Sequence, residues 1–481
     1  MTSWDLKVLK SKYHIIIIGC GFAGLAAADI LTRYNLDVLI IDENPHLGGQ
    51  LLRKISTLKQ TKKKFELDPI KKIGFELARS IAGQNIDILY TTQVLGLFPD
   101  HRILMVDHSE KIVECQGDFI ICATGAREKY LPFKGWTIPG VMSTGAAQIL
   151  MKSSGVLPAK TTLVGGTGPL QLALAAAILQ NKGRVSAVLD QQNFKDKFGI
   201  LHLWQHNLPK IIEGAIYLSR LFLQGTPIRQ RTGIAEAIGK NQLEKVVTAQ
   251  LDDQNGFIQG TERIYNTHAL AVGYGFTPNI ELPIQAGCDI KFDKKKGGWI
   301  VCVNEDTMET SLSAFFAVGE ITGIAGAKKS YIEGRIAAWS ILNQMELVNG
   351  SKNKANLRLL YYQRQHQIEY GAFLNAMCNV SDSAYQSIDD DTIICRCEEI
   401  TMGDIRKTIT DGFLTVNSIK KTTRCGMGLC QGRICGPVLF DILSGITHGH
   451  PGQIGEPSVR SPIKTVPLGA FLRANNKTEM K

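Results

Sequence analysis

The sequence predicts an α/β protein with two doubly wound domains and a small, cysteine-rich C-terminal module. Three observations carry this. A strand, a glycine turn, a helix and a second strand follow one another over residues 14–42, and the same order returns over residues 161–190. Such units set strands in parallel with helices on the sheet faces. Finally, five of the eleven cysteines fall within the 41 residues from Cys395 to Cys435.

Length and composition set the limits. At 481 residues the chain can hold about three domains. Hydrophobic residues make up 44% and charged residues 20%, which excludes a disordered, collagenous or small disulfide-scaffold chain. No apolar run approaches the roughly 18 residues of a spanning helix, and the N-terminal MTSWDLKVLKSKYH has no apolar signal core. With an odd number of cysteines and a local cluster, these features predict a reducing, cytoplasmic setting and a metal or cluster site rather than a disulfide framework. The net charge of +10 reads as that of a soluble, lysine-rich protein, with an acidic protein partner as the next reading. No basic stripe with interleaved aromatics marks a nucleic-acid partner, and the lysine run 62–64 reads as solvated surface.

In the first unit, residues 14–18 (HIIII) are a β-branched strand, residues 22–33 an alanine- and leucine-rich helix, and residues 37–41 the next strand. Between them stands Gly19-Cys20-Gly21-Phe22-Ala23-Gly24, a full G-x-G-x-x-G. Gly19 permits the tight turn, Gly21 lets the backbone approach a pyrophosphate, and Gly24 allows close helix–strand packing. The helix N-terminus adds unsatisfied N–H groups and roughly half a positive charge. Asp42 ends the second strand, where a carboxylate accepts ribose hydroxyls. A nucleotide site is the expected reading; the alternative is a structural turn.

The second unit runs from a strand at 161–164 through Gly165-Gly166-Thr167-Gly168 to a helix over 169–180 and a strand at 184–189. It keeps Gly166 and Gly168 but lacks the third glycine. Pro169 suits a helix start, where no N–H partner is needed. Asp190 ends the next strand, and an acid there favours NAD over NADP. The alternative is a retained fold whose pocket is altered or empty. Disulfide reduction is excluded, because it needs a redox-active dithiol and no C-x-x-C occurs in the chain. Short apolar strands are expected at 118–123, 268–272 and 311–318, a polar linker at 348–356, and a helix over 357–377. The tail from His448, with four prolines before Leu468, reads as extended.

Cys395-Arg396-Cys397, then 27 residues, then Cys425-Gly426-Met427-Gly428-Leu429-Cys430 can enclose one soft metal centre. Iron–sulfur and zinc are the candidates. The close C-x-C pair and the glycine-rich second loop favour [2Fe–2S] over zinc or unligated thiols, with Cys395, Cys397, Cys425 and Cys430 as ligands; Cys435 is either a structural thiol, the preferred reading, or a substitute ligand.

Further motifs extend the first loop into a resemblance. Asp42-Glu43 followed by Gly48-Gly49-Gln50 resembles the FAD form of the fingerprint rather than the NAD form. Ala123-Thr124-Gly125 resembles the turn beside FAD, and residues 272–279 (VGYGFTPN) its counterpart in the second half. Gly319-Glu320 with Gly326, Ala327 and Gly334 resembles the flavin-ribityl motif, with Glu320 where Asp is usual. Adding residues 123–127 (ATGAR), 135–140 (GWTIPG), 166–170, 395–398 (CRCE) and 423–435 (TRCGMGLCQGRIC), the chain resembles, along nearly its whole length, one known family. These are the alpha subunits of heteromeric FAD-dependent amino-acid dehydrogenases and oxidases, which include opine oxidase, hydrogen cyanide synthase and dye-linked proline and hydroxyproline dehydrogenases. The C-terminal module resembles bacterioferritin-associated ferredoxin.

The resemblance implies two doubly wound dinucleotide-binding domains of the glutathione/thioredoxin reductase kind plus a small iron–sulfur domain. The expected boundaries are 1–135 with 277–345 for a discontinuous FAD-binding domain, 136–276 for an NAD-like domain, 346–388 for a linker and helix, 389–440 for the [2Fe–2S] domain and 441–481 for the tail. It implies FAD contacts at Gly19, Gly21, Phe22, Ala23, Gly24, Asp42, Glu43, Gly49, Gln50, Val94, Ala123, Thr124, Gly125, Gly319 and Glu320. It admits a second nucleotide (NAD or ATP) at Gly166, Gly168, Pro169 and Asp190, or an FMN at an interface between subunits. The implied partners are a small ferredoxin-like protein and a substrate-oxidising flavoprotein, the beta subunit. The implied site of action is the cytoplasm, or the inner face of the membrane reached through those partners. The ten histidines are scattered and no substrate constellation stands out. Arg127 faces either a flavin or a structural ion pair. The expected function is electron transfer within an amino-acid dehydrogenase acting on CH–NH or CH–NH2 donors. Its competitors are a self-contained NADH-dependent FAD/[2Fe–2S] oxidoreductase and a zinc-bearing scaffold.

Overall fold

In the computed structural model, the β-branched run at 14–18 lies in the strand Lys12–Ile18, inside a seven-stranded sheet. The structure describes residues 9–53, 69–82, 84, 86–193, 204–348 and 350–475; the lysine run 62–64 lies outside them. The chain divides into two units. One comprises Met1–Arg127, Pro278–Ala372 and Val459–Lys481, the other Glu128–Thr277 and Phe373–Ser458.

In the first unit, Lys12–Ile18 pairs in parallel with Val38–Ile41 on one side and Ile112–Cys122 on the other. Ile15, Ile16 and Ile17 are fully buried. A parallel strand covered on both faces needs apolar side chains on both, so the run does not alternate. Burial of each such side chain contributes roughly 1.5–3 kcal/mol. Ile15, Ile17, Ile40 and Ile121 share one core with the helices Phe22–Leu31 and Ala327–Gln344. Ile16, Leu39 and Ile120 share another with Ile103, Met105 and Phe315. Ile112–Cys122 is longer than the strand expected at 118–123, and its halves serve different neighbours. The first half pairs antiparallel with Arg102–Val106, the second in parallel with Phe315–Ala317.

Two expectations are corrected in the C-terminal half. The helix Gly350–Met377 begins inside the stretch read as a linker. Polarity alone does not stop a helix whose later turns pack, and here Leu360, Arg364 and Gln367 are buried. The tail is only partly extended, because short helices form at Pro451–Ile454 and Leu468–Asn475. Between them, the Ile463 N–H donates to the Leu95 carbonyl at 2.8 Å.

The second unit holds a parallel five-stranded sheet in the order Ile228–Gln230, Arg184–Asp190, Thr161–Gly166, Ala269–Gly273 and Val141–Ser143. The helix Leu170–Gln180 buries Leu174 and Ile178 in a core with Val164 and Val188. The cysteine-bearing module belongs to this unit. It has a small hairpin, Ile393–Cys395 with Ile400–Thr401, and the helices Met402–Thr410, Val416–Thr423 and Cys435–Thr447. The first two helices open with capping boxes, Thr401 with Asp404 and Thr415 with Ser418; losing such a cap costs about 1 kcal/mol. Trp136, from the GWTIPG motif, ties the module down. Its Nε1–H donates to the Ile393 carbonyl at 2.6 Å, and the Arg396 guanidinium lies 5.4 Å from its ring. Lys129 pairs with Asp441 at 2.5 Å.

Candidate functional site

The first glycine loop is shaped by two forced contacts and one opening. At Gly19 (φ +98°) a Cβ would stand 2.4 Å from the Ala123 carbonyl oxygen, and at Gly24 a Cβ would stand 2.0 Å from the Gly19 carbonyl oxygen. Gly21 differs: among the described residues nothing lies within 4 Å of where its Cβ would be. Gly49 presses against this loop, its Cβ position 3.0 Å from the Gly21 Cα. The helices Phe22–Leu31 and Ala327–Gln344 begin at Gly21 and Gly326 without a side-chain cap. Their first N–H groups remain as donors for an anion. An open approach at the second glycine with uncapped donors fits the diphosphate of a dinucleotide.

The two acids after the second strand have different partners. Asp42 is buried, and its Oδ2 accepts the Cys20 N–H at 2.6 Å while its Oδ1 accepts the Asn44 N–H at 2.7 Å. It therefore holds the glycine loop in shape. Glu43 is exposed and pairs with Lys464. In the ATGAR turn, Thr124 Oγ1–H donates to the Asn279 carbonyl at 2.7 Å, and Asn279 Nδ2–H returns a bond to the Thr124 carbonyl at 2.9 Å. Arg127 pairs with Glu281 at 2.5 Å and reaches Asn279 Oδ1 at 2.8 Å. The ion pair of the structural reading is thus formed.

Glu320 accepts the N–H groups of Ala325 at 2.9 Å and Gly326 at 2.7 Å, and burial pushes its carboxyl above the usual carboxylate range. It shapes the turn that delivers Gly326. Beneath it lies a buried network that the motif reading missed. Lys329 Nζ donates to the carbonyls of Gly319 at 2.8 Å and Gly323 at 3.0 Å, and meets Glu333 at 2.9 Å; Arg364 Nε–H donates to Glu333 Oε1 at 2.9 Å. The i, i+4 spacing of Lys329 and Glu333 in a helix was the available signal. The other expected flavin residues are placed as follows. Phe22, Ala23 and Ala123 lie in the helix-covered core, and Val94 in the opposite core. Gly125 has nothing within 4 Å of its Cβ position among the described residues. Gln50 is exposed, accepting from Arg53 Nε–H at 2.7 Å.

The second loop repeats the first glycine's role only. At Gly166 (φ +123°) a Cβ would stand 2.1 Å from the Gly273 carbonyl oxygen. At Gly168 a Cβ would stand 2.3 Å from Cys378 Sγ. Pro169 precedes the helix Leu170–Gln180 at its N-cap. Asp190 is buried, and its Oδ1 accepts the Gln192 N–H at 3.0 Å. A cavity of about 410 Å³ opens nearby, lined by Gln191, Gln192, Arg231, Phe373 and Met377 among others.

The cysteine module gathers more thiols than spacing alone suggested. Sγ atoms of Cys395, Cys425 and Cys435 lie within 4.8 Å of one another, all three buried. Cys435 opens the helix Cys435–Thr447, with its Sγ 3.7 Å from that of Cys395. Hydrogen bonds from Cys425 and Cys435 pull the Cys395 thiol down to about 2, and one from Cys435 pulls Cys430 down to about 5. The same hydrogen bonds raise Cys425 and Cys435, so the thiols share protons that a soft metal centre would displace on binding. Cys430 is half-buried and Cys397 exposed, so the cluster has one solvent-facing edge. Cys435, expected as a bystander, therefore stands inside the thiol group.

Residues 13–344 match the family described as pyridine nucleotide-disulphide oxidoreductase, and residues 393–444 match the BFD-like [2Fe-2S] binding domain. The chain belongs to the pyridine nucleotide-disulphide oxidoreductase family. Like other members it is a flavin-dependent oxidoreductase, here with a C-terminal [2Fe–2S] domain, although it has no C-x-x-C for the disulphide chemistry in the family's name. It is 29% identical to an opine oxidase subunit of Agrobacterium tumefaciens, over 96% of this chain and 91% of that protein. It is 32% identical to the hydrogen cyanide synthase subunit HcnB of Pseudomonas aeruginosa, over 95% of this chain and 97% of that protein. L-proline dehydrogenase from P. horikoshii is similar in fold, with a TM-score of 0.68 and 22% identity, covering 96% of this chain and 79% of that one. Among the described residues, no helix of this oxidoreductase is long and apolar enough to cross a membrane.

Proposed function

We propose that this chain is the flavin and iron–sulfur electron-transfer subunit of a heteromeric amino-acid dehydrogenase of the imino-acid, opine or proline type. A partner beta subunit oxidises a CH–NH or CH–NH2 donor, and this chain relays the electrons toward an acceptor in the cytoplasm. One observation carries the reading: a buried group of thiols, Cys395, Cys425 and Cys435, in the same chain as a glycine loop open at Gly21. Two relatives are themselves named as subunits, one of opine oxidase and one of hydrogen cyanide synthase, which supports a heteromer.

When bound, FAD exchanges electrons in pairs and a [2Fe–2S] cluster exchanges them singly, and the chain's task is to hold and tune both. The N–H groups following Gly21 and Gly326 receive the diphosphate. Asp42 fixes the loop through the Cys20 N–H, so the ribose hydroxyls fall to the exposed Glu43, which would give up its Lys464 partner to receive them. Lys329, Glu333 and Arg364 hold the Gly319 turn rigid from below. In the C-terminal module, Cys395, Cys425 and Cys435 supply three thiolates, and the Cys397–Cys430 pair at the exposed edge supplies the fourth.

An anaerobic absorption spectrum of the purified chain, before and after dithionite, with iron and sulfide assays, tests this. The expected result is a flavin band over broad, bleachable absorption, with about two irons per chain. A flavin spectrum with zinc or no metal breaks the electron path and ends the proposal.

A further inference from the structure

The two glycine loops of this chain form an internal comparison. In each, the second glycine of G-x-G is the point where backbone approaches a pyrophosphate. At Gly21 (φ −75°) the Cβ position is open among the described residues; at Gly168 (φ +87°) it is taken by Cys378, whose Sγ stands 2.3 Å away. Gly275 (φ +86°) forms the other side of the cradle, its Cβ position 2.8 Å from the Cys378 Cβ.

We propose that Cys378 determines donor specificity by occupying the pyrophosphate position of the second α/β domain, so that this domain does not accept NAD(H), NADP(H) or another dinucleotide. The segment carrying Cys378 is fastened in place. Thr167 Oγ1–H donates to the Cys378 carbonyl at 3.2 Å. Gln192 Nε2–H donates to the carbonyls of Ala376 at 3.2 Å and Asn379 at 3.3 Å. One tether comes from the glycine loop, where Thr167 is the middle residue of G-x-G, and the other from Gln192, two residues after Asp190. Met377 and Val380, flanking the thiol, are buried. A dinucleotide would have to displace this whole segment. At Gly168 a side chain is disfavoured twice, by a φ of +87° and by the neighbouring thiol. The inference stands on this loop alone and holds whichever partner delivers electrons to the flavin.

The test is equilibrium dialysis of NAD⁺ and ADP-ribose against the flavin- and iron-loaded chain, as wild type, Cys378→Gly, and Cys378→Gly with Asp190→Ala. Wild type is expected to show no binding up to about 1 mM. Cys378→Gly, which removes the thiol but keeps the backbone tethers, gains binding at least tenfold tighter than that limit, and Asp190→Ala removes the gain. Wild-type binding of NAD⁺ below 1 mM that Asp190→Ala abolishes overturns the proposal. So does a folded Cys378→Gly chain that stays blind to both ligands. Should that variant fail to fold, iodoacetamide labelling of Cys378 in the wild type decides. A rate unchanged by millimolar NAD⁺ supports the proposal, and protection by NAD⁺ overturns it.

Discussion

Cys435 and Cys378 show how much can turn on one sulfur. Cys435 is 1% exposed, and its Sγ belongs to the same group as those of Cys395 and Cys425. A serine there keeps the size but offers a hard oxygen where a soft centre prefers thiolate. Cys435→Ser is therefore expected to lose most of the chain's iron and the bleachable absorption, while flavin content and the unfolding midpoint hold. Cys302→Ser, outside the cysteine module, should keep all of them. Iron assay alongside the flavin spectrum checks both, and full iron in Cys435→Ser would return Cys435 to a structural role. The sequence showed that a thiol centre exists, because C-x-C and a glycine-rich second loop are local patterns. It could not rank Cys435, whose placement depends on how the helix Cys435–Thr447 starts against Cys395, forty positions earlier. Cys378 was less legible still: it sits in no motif, and its meaning lies entirely in its proximity to Gly168.

At the scale of elements, both strand–turn–helix units could be read directly, since β-branched runs and G-x-G turns signal over a few residues. Features that depend on distant partners could not. Ile112–Cys122 serves two neighbours because Phe315–Ala317 arrives beside its second half. The early start of Gly350–Met377 follows from later turns that pack. The glycines of the helix Phe22–Leu31 and its neighbour allow a paired test of this distinction between shape and chemistry. At Gly334 a Cβ would stand 2.1 Å from the Ala23 carbonyl oxygen, so Gly334→Ala forces two helices apart. Overpacking of that kind costs about 1–3 kcal/mol. Gly21 has φ −75° and open space at its Cβ position, so Gly21→Ala should leave stability within about 0.5 kcal/mol. Its methyl would instead meet the bound diphosphate, weakening FAD retention at least tenfold, about 1.4 kcal/mol. Urea titration with flavin-release measurements separates the two. A Gly21→Ala chain that keeps FAD with wild-type affinity would mean the loop holds no dinucleotide.

At the scale of the whole molecule, the proposed division of labour leaves the redox centres on this chain and the substrate site on its partner. Buried acids of the described chain already have partners within the fold: Asp42 with the Cys20 loop, Asp190 with the Gln192 N–H, Glu333 with Lys329 and Arg364. A group so engaged is poorly placed to take a proton from an amine. The proposed closure of the second α/β domain at Cys378 would also remove the nicotinamide route by which such a protein could be reduced alone. Both arguments lead to the same expectation. The isolated, loaded chain should neither reduce a dye with proline, hydroxyproline or an opine, nor have its flavin bleached by NADH. Coexpression with the proposed beta subunit should yield a complex in which the amino or imino acid bleaches the flavin and then the iron–sulfur absorption. Cysteine-to-serine changes in the cluster should abolish the second bleaching while sparing the first. If the chain alone oxidises an imino acid, the division of labour fails and the search for a catalytic base on this chain reopens. If NADH alone bleaches the flavin, the chain is a self-contained reductase, and the proposed closure at Gly168 falls with the division of labour.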